Sequence, residues 1–265
     1  MGKKLLKNWK VYPLTTKDTP KMGLSRKVNS KFVNKKRRDA FIASLHLEEF
    51  HTYLRENPKL TQHAPLNLIK LIVATFLMAH TGLRINEVRL MQYQSLLNLI
   101  NFGYTTVSNV KRIGEREVAL AEVHRQRLKD LIFTHPEPGR PPSIFPNNKM
   151  PQRDFYILGV KDYRKPVSER YFNTLVSKHL KGFASYLLNE KQSVPELFQW
   201  TSHSFRSGYI TELYEKGASP SDIQRLVGHT DISTTLRYSE HLNRGTSKVS
   251  FLNKYADIPY LGGQK

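Results

Sequence analysis

The stretch of this chain that most constrains its fold is the apolar run LIKLIVATFLMA at residues 68–79. It contains one charged residue, Lys70, and it is too short to cross a bilayer, which needs about 20 apolar residues. Gly82 follows and supplies a helix stop signal. The sequence therefore predicts a buried helix over residues 67–82.

The charge of the chain indicates its class of partner. A net charge of +20 and a pI of about 10.0 point to a polyanion, most often nucleic acid. An anionic membrane surface and a merely solubilising charge are the alternatives. Residues 1–40 carry 13 Lys and Arg residues against Asp18 and Asp39. This density predicts a basic N-terminal arm that contacts phosphates; a solvated linker is the alternative.

The absence of cysteine from the sequence narrows the chemistry. Disulfides, iron–sulfur clusters, thiolate zinc sites and cysteine nucleophiles are excluded. The N-terminus, MGKKLLKNWK, has charges but no hydrophobic run after them, so no secretion signal is expected. If the chain is bacterial, the expected location is the cytoplasm, in association with the nucleoid. The interior of an organelle is the other expected location.

Other segments predict a mainly α fold with a small antiparallel β-sheet. Helices are expected at 38–57, from 84 to 92 and beyond, at 121–133 and at 168–190, the last with Ser168 as N-cap. His46 and His51, five residues apart in the first of these, are interpreted as ordinary surface residues. The alternating pattern of 104–120 predicts a β-hairpin with a turn at Ile113–Gly114. Residues 135–167 are expected to form a long irregular loop.

The last third of the chain carries the clearest helix signals. TSHSFRSGYITELYEKG (201–217) predicts a helix capped by Thr201 and ended by Gly217. SPSDIQRLVGH predicts another, with Ser219 as N-cap and Pro220 at its first position. A turn at Gly228 is expected next, and then a helix that carries Tyr238.

The surroundings of Tyr238 indicate a role outside the core. In LVGHTDISTTLRYSEH (226–241), this tyrosine lies among hydroxyl-bearing and basic side chains and few bulky apolar ones. The composition predicts a surface that meets something charged.

Several residues could together act on a phosphodiester. His203 and Arg206 are three residues apart near a helix N-terminus, where a phosphate is favoured. Arg84 follows the Gly82 turn, and Lys111 lies near the hairpin tip. Each of these residues alone is weak evidence for a functional site, since such residues are often solvated surface groups. Together with Tyr238 they fit attack by tyrosine, neutralisation by arginines and proton donation by lysine or histidine.

The segments HTGLRINEVRLMQ and TSHSFRSGYITELYEKGASPSDIQRLVGHTDISTTLRYSEH, with the hairpin between them, resemble the tyrosine recombinase (phage integrase) family. The order Arg, Lys, His-x-x-Arg, Gly-His, Tyr is reproduced over roughly residues 40–242. The segment LVGHTDISTTLRY is its most specific part. The resemblance implies a tyrosine recombinase-like catalytic domain over 41–242, after the basic arm of 1–40.

The resemblance also implies a role for each candidate residue. Tyr238 would be the nucleophile that forms a 3′-phosphotyrosyl link, and Lys111 the general acid for the leaving 5′-oxygen, although Arg112 or Arg116 could be mistaken for it. Glu87 would hold an arginine without reacting. Around the scissile phosphate, the implied contacts are those of Arg84, Arg206, His203 and His229. No metal or cofactor is implied.

The chain departs from the family in what precedes the catalytic pattern, whereas its tail fits what the resemblance implies. Only about forty residues, rich in Lys and Arg, precede the catalytic pattern, so a short form without a full core-binding domain is expected. An accessory DNA-binding protein could then supply part of the grip. The tail, 243–265, is expected to be exchanged between protomers of a tetramer on double-stranded DNA; folding back onto its own domain is the alternative.

The resulting hypothesis is a site-specific recombinase that performs integration, excision, inversion or multimer resolution. Two alternatives remain open at this point. One is a non-catalytic DNA-binding regulator on the same fold, and the other is a relaxing enzyme similar to type IB topoisomerases. No membrane partner is expected.

Overall fold

The computed structural model describes residues 44–57, 65–108, 115–133, 152–160, 163–191 and 200–242. The remaining residues, which include the basic arm, Lys111 and the tail, lie outside the described part. Nine helices and two short hairpins are found within these ranges. In chain order they are α1 (Ser44–Glu56), α2 (Pro65–Thr81), α3 (Ile85–Arg89), α4 (Tyr93–Phe102), β1 (Tyr104–Ser108), β2 (Glu115–Ala119), α5 (Glu122–Phe133), β3 (Gly159–Val160), β4 (Lys165–Pro166), α6 (Glu169–Lys191), α7 (Ser202–Glu215), α8 (Pro220–Val227) and α9 (Ile232–Leu242).

Helix α2 is the centre of the core, as its apolar run predicts. Residues 71–79 are all buried, and α2 packs against α1, α3, α5 and α7. A helix that is apolar on every side must be enclosed in this way. Lys70 is buried with them because its ammonium donates to the Gly159 carbonyl at 3.0 Å and lies over the Tyr163 ring. None of the described helices is long and apolar enough to cross a membrane.

The interpretation of His51 as a surface residue is wrong. Its side chain is buried on the inner face of α1, in line with Leu47, Phe50 and Leu54. A histidine is tolerated at this buried position because its Nε2 lies 2.9 Å from the Thr75 hydroxyl, which gives this nitrogen a hydrogen-bond partner inside the core. His46 is half-buried and its ring packs against Trp200.

The predicted hairpin is confirmed in its strands. β1 pairs with β2 in antiparallel register from Tyr104↔Ala119 to Ser108↔Glu115, with Val107 and Val118 facing the core. The turn between the strands, including Lys111, lies outside the described residues. The alternation of buried and exposed side chains on β1 is the period-2 pattern on which the prediction rested.

Part of the segment expected to be an irregular loop is structured. β3 and β4 form a second, very short hairpin. Gly159 is required there, because a Cβ would lie 2.5 Å from the Cα of Tyr163, which itself has a φ of 63°. Two-residue strands fixed by such local contacts leave no periodic signal in a sequence.

The C-terminal helices begin where their caps predict. Ser168 Oγ accepts from the Tyr171 N–H at 3.2 Å, and Thr201 Oγ1 accepts from the His203 N–H at 3.3 Å. Ser219 Oγ accepts from the Asp222 N–H at 3.1 Å. Gly228 ends α8 with a φ of 65°, a left-handed conformation that favours glycine, and turns the chain into α9. The prediction of a mainly α fold with a small antiparallel sheet is confirmed.

Candidate active site

Arg84 and Glu87 form the first part of the site. Gly82, with a φ of 64°, turns the chain out of α2, and Arg84 precedes the first residue of α3. The Glu87 carboxylate accepts from the Arg84 backbone N–H at 2.7 Å and from its Nη1 at 2.9 Å. About a quarter of the Arg84 side chain (27%) remains exposed. Glu87 thus fixes the direction of an arginine that is still accessible, as the resemblance implied.

Arg116 also belongs to the site, although its sequence position suggests only that it could be mistaken for Lys111. It projects from β2 and pairs with Glu87 through Nε at 3.1 Å and Nη2 at 2.8 Å. Its Nη1 donates to the Leu226 carbonyl at 3.3 Å, near the end of α8. Arg116 therefore joins the hairpin to α3 and α8. No local pattern indicates this contact, because the two partners are 29 residues apart.

The Glu87 carboxylate stays charged in this setting. Burial would raise its pKa, but hydrogen bonds and charge from Arg116 and Arg84 outweigh burial and hold the pKa below its ordinary value. One buried carboxylate is thus shared by two guanidinium groups.

Arg206 is the most buried cation of the site, with 1% of its surface exposed. It donates through Nη1 to the Gly82 carbonyl and through Nη2 to the Val227 carbonyl, the latter at 2.6 Å. Burial, and then the positive charges of Arg84 and Arg116, lower its pKa to about 9. Both acceptors belong to the glycine turns that end α2 and α8, so Arg206 ties these turns together.

His203 and Tyr238 meet across α7 and α9. The Nε2 atom of His203 lies 3.0 Å from the Tyr238 hydroxyl oxygen. His203 is exposed at the start of α7, where Thr201 caps the helix. An imidazole at this distance can accept the hydroxyl proton, which is the activation that a tyrosine nucleophile needs.

The expectation that Tyr238 lies on a polar surface is wrong for its ring. Tyr238 is only 3% exposed and belongs to a small apolar cluster with Ile210, Ile223 and Val227. The reason is helical geometry: Thr235 and Tyr238 are three residues apart on the inner face of α9, whereas Leu236 and Arg237 are exposed.

His229 follows the Gly228 turn and lies beside Tyr238, with their ring centroids 6.2 Å apart. Its Nδ1 lies 2.8 Å from the hydroxyl of Thr235, another residue to which the sequence reasoning gave no role. Burial, followed by the charges of Arg206 and Arg84, lowers the pKa of His229 to about 3. The imidazole is therefore neutral near pH 7 and offers one donor and one acceptor.

The structure brings together five of the six candidate residues. Tyr238 contacts His203 and lies beside His229. The charges of Arg84 and Arg206 act on His229, which places both arginines near this group. Lys111 lies outside the described residues and stays a prediction. Within the described ranges there is no group of three His, Asp or Glu residues that could hold a metal ion. The arrangement concentrates donors and positive charge around one tyrosine hydroxyl, which is suited to a phosphodiester.

A helical domain that gathers arginines and histidines around a tyrosine in this chain order defines the class of tyrosine recombinase catalytic domains. The phage integrase family model matches residues 52–244, most of the chain, so the chain belongs to that family.

Relatives of this chain come from mobile elements and from Xer recombinases. The transposase from transposon Tn916 of Enterococcus faecalis is 26% identical over 196 residues, which cover 66% of this chain and 43% of the relative. Tyrosine recombinase XerC of Natranaerobius thermophilus is 28% identical over 175 residues, with 66% and 51% covered. The chain thus spans about half the length of the curated relatives it matches.

Solved structures show the same fold. The Tn1549 transposon integrase in complex with circular intermediate DNA matches with a TM-score of 0.54 at 18% identity, over 81% of this chain and 66% of that one. XerH recombinase bound to a palindromic difH substrate matches with a TM-score of 0.51 at 16% identity, over 87% and 56%. The prediction of a tyrosine recombinase-like fold is confirmed.

Proposed function

We propose that this chain is the catalytic part of a site-specific DNA recombinase that cleaves and rejoins DNA through Tyr238. The observation that carries the proposal is the 3.0 Å approach of the Tyr238 hydroxyl to His203 Nε2, beside Arg206 and His229. Family membership and DNA-bound relatives of the same fold support it.

In the proposed reaction, the Tyr238 oxygen attacks the scissile phosphorus and the bond to the 5′-oxygen breaks. His203 accepts the tyrosine proton, and Lys111 gives a proton to the departing 5′-oxygen. The products are a 3′-phosphotyrosyl link and a free 5′-hydroxyl. Arg84, Arg206 and His229 neutralise or donate to the non-bridging oxygens as charge builds up. The reverse reaction with another 5′-hydroxyl rejoins the strand, and the energy of the phosphodiester is retained.

The proposed partner is double-stranded DNA, bound by a homotetramer of this chain. A charge of +20 supports a phosphate-rich partner, and about a dozen of the basic residues lie in the N-terminal arm, which we propose adds sequence-independent phosphate contacts. We propose that residues 41–242 form the catalytic domain and that the tail, 243–265, is exchanged between protomers. An accessory DNA-binding protein could complete the grip. Activity would take place where the DNA lies, in the bacterial cytoplasm or inside an organelle.

The test uses DNA sites selected from a randomised duplex pool by binding to the Tyr238→Phe protein. The selected duplexes are rebuilt with nicks at successive positions, so that a cleaved strand loses its short 5′-hydroxyl fragment and cannot be rejoined. We expect the unaltered protein to form a covalent, detergent-resistant adduct and Tyr238→Phe to form none. Tyr104→Phe is the matched control, because Tyr104 is exposed on β1 away from these contacts, and it should form the adduct normally.

Each alternative function gives a different result. If the chain is a non-catalytic regulator, the unaltered protein and Tyr238→Phe would both bind the selected duplexes, and neither would form an adduct. A topoisomerase-like enzyme would relax supercoiled plasmid that lacks any selected site. Adduct formation limited to selected sites, and strand exchange between two of them, is the result expected of a recombinase.

A further inference from the structure

We propose that Thr235 is a positioning residue that holds His229 in one tautomer and one orientation, with Nε2 carrying the ring proton toward the scissile phosphate. This inference rests on the proposed function. It starts from one contact: the Thr235 hydroxyl lies 2.8 Å from His229 Nδ1.

Thr235 is placed rigidly enough for this role. It is completely buried and lies one helical turn before Tyr238 on the inner face of α9. Its carbonyl accepts from the Tyr214 hydroxyl at 3.1 Å, which connects this part of α9 to α7, the helix of His203 and Arg206. A buried hydroxyl needs a hydrogen-bond partner, and His229 provides one. The same residue therefore fixes the helix backbone by its carbonyl and the imidazole by its hydroxyl.

The direction of the hydrogen bond decides what His229 can do. A neutral imidazole has its proton on one nitrogen only, and the hydrogen bond at one nitrogen determines the state of the other. When Thr235 donates to Nδ1, the proton stays on Nε2, which becomes a donor. The opposite direction would make Nε2 an acceptor, which would repel a phosphate oxygen. Binding of an anion requires the first arrangement.

Two nearly isosteric changes separate the hydroxyl from the packing. Thr235→Val keeps the shape and removes the hydroxyl, whereas Thr235→Ser keeps the hydroxyl and removes the methyl group. Thr211→Val is the matched control, because Thr211 is also buried in a helix but its hydroxyl donates to the Ser207 carbonyl. The measurements are the single-turnover rate of adduct formation at saturating protein, the affinity for the duplex and the melting temperature.

We expect Thr235→Val to slow adduct formation by about tenfold to a hundredfold, because a buried hydrogen-bond partner is lost. Thr235→Ser and Thr211→Val should stay within about threefold of the unaltered rate. In the His229→Ala background, Thr235→Val should cause no further slowing, since it acts through His229. A normal rate for Thr235→Val, an equal defect in Thr235→Ser, or an undiminished effect without His229 would each overturn the proposal.

A second measurement reads the tautomer in the unaltered protein and uses a variant only to assign the His229 signals. Nitrogen NMR of the protein labelled in histidine reports which ring nitrogen carries the proton. We expect the Nε2–H tautomer for His229, assigned by comparison with His229→Ala, and the Nδ1–H tautomer would refute the donor direction. Failure of the proposed function looks different: no variant, nor the unaltered protein, would form an adduct, while the tautomer could still be read.

Discussion

Glu87 is the buried carboxylate on which two arginines of the site depend, and replacing it with glutamine tests how much they depend on it. The glutamine keeps the size of the side chain and removes its charge. Only one oxygen remains to accept, while Arg116 Nε and Nη2, Arg84 Nη1 and the Arg84 N–H all donate at 2.7–3.1 Å. The amide would direct its own N–H groups at some of these donors.

The expected loss follows from burial. The Glu87 side chain is 1% exposed and that of Arg116 is 10% exposed, so the pair is buried. Breaking such a pair from one side costs about 3–5 kcal/mol, because a charge is left uncompensated in the interior. Glu122→Gln is the matched control. Glu122 also pairs with an arginine three positions away, Arg125, but its side chain is 78% exposed, and such pairs contribute about 0–1 kcal/mol.

The assay is equilibrium unfolding in urea of the DNA-free protein, with the free energy of unfolding taken for both variants. We expect Glu87→Gln to lose about 3 kcal/mol more than Glu122→Gln. A double variant with Arg116→Met should lose less than the sum of the two single changes, because each removes the partner that the other leaves unpaired. Equal losses for Glu87→Gln and Glu122→Gln would refute the reasoning, and strict additivity would refute the pairing.

Two further predictions concern pH and the Gly228 turn. Burial lowers the pKa of His51 and His80 to about 3, below their value of about 6.5 in the unfolded chain. The unfolded state therefore binds more protons in acid, and the stability of the protein falls as the pH drops from about 6.5 toward 3. Urea midpoints at several pH values should show this loss, and His51→Gln should lessen its slope by up to about 1.4 kcal/mol per pH unit; an unchanged slope would contradict the assignment. Gly228→Ala should destabilise the protein more than Gly217→Ala, because both glycines have positive φ but only at Gly228 would a Cβ meet a neighbour, Arg116 Cδ at 2.8 Å. We expect about 1 kcal/mol for Gly217→Ala and about 1–3 kcal/mol more for Gly228→Ala in thermal or urea unfolding, and equal losses would show that Arg116 moves aside freely.

Local signals explain what could be predicted from the sequence. The caps Thr201 and Ser219 and the turn at Gly228 act over three or four residues, so the sequence alone places the helices that carry His203, Arg206 and Tyr238. The order of the candidate residues along the chain indicates the tyrosine recombinase family. None of this required knowledge of a tertiary contact.

The predictions failed where a contact between distant segments decides the outcome. Tyr238 was expected on a polar surface because composition averages all faces of a helix, while burial depends on one face. His51 lies in the core, where its ring contacts the hydroxyl of Thr75, a residue 24 positions away. Arg116 and Thr235 entered the site through partners on other elements, and no spacing in the sequence indicates them.

Arg206 shows how contacts within the protein organise the site. Its two terminal nitrogens donate to the carbonyls of Gly82 and Val227, so they do not depend on a phosphate for their position. These carbonyls are held by turns in which Gly82 and Gly228 adopt left-handed backbone. A lysine at position 206 could keep the charge, yet one ammonium on a flexible stem cannot replace a planar fork that spans two turns. The positive charge near Tyr238 and the link between the turns that follow α2 and α8 therefore come from the same side chain, and its hydrogen bonds to both turns allow a cation to be buried to 1% exposure.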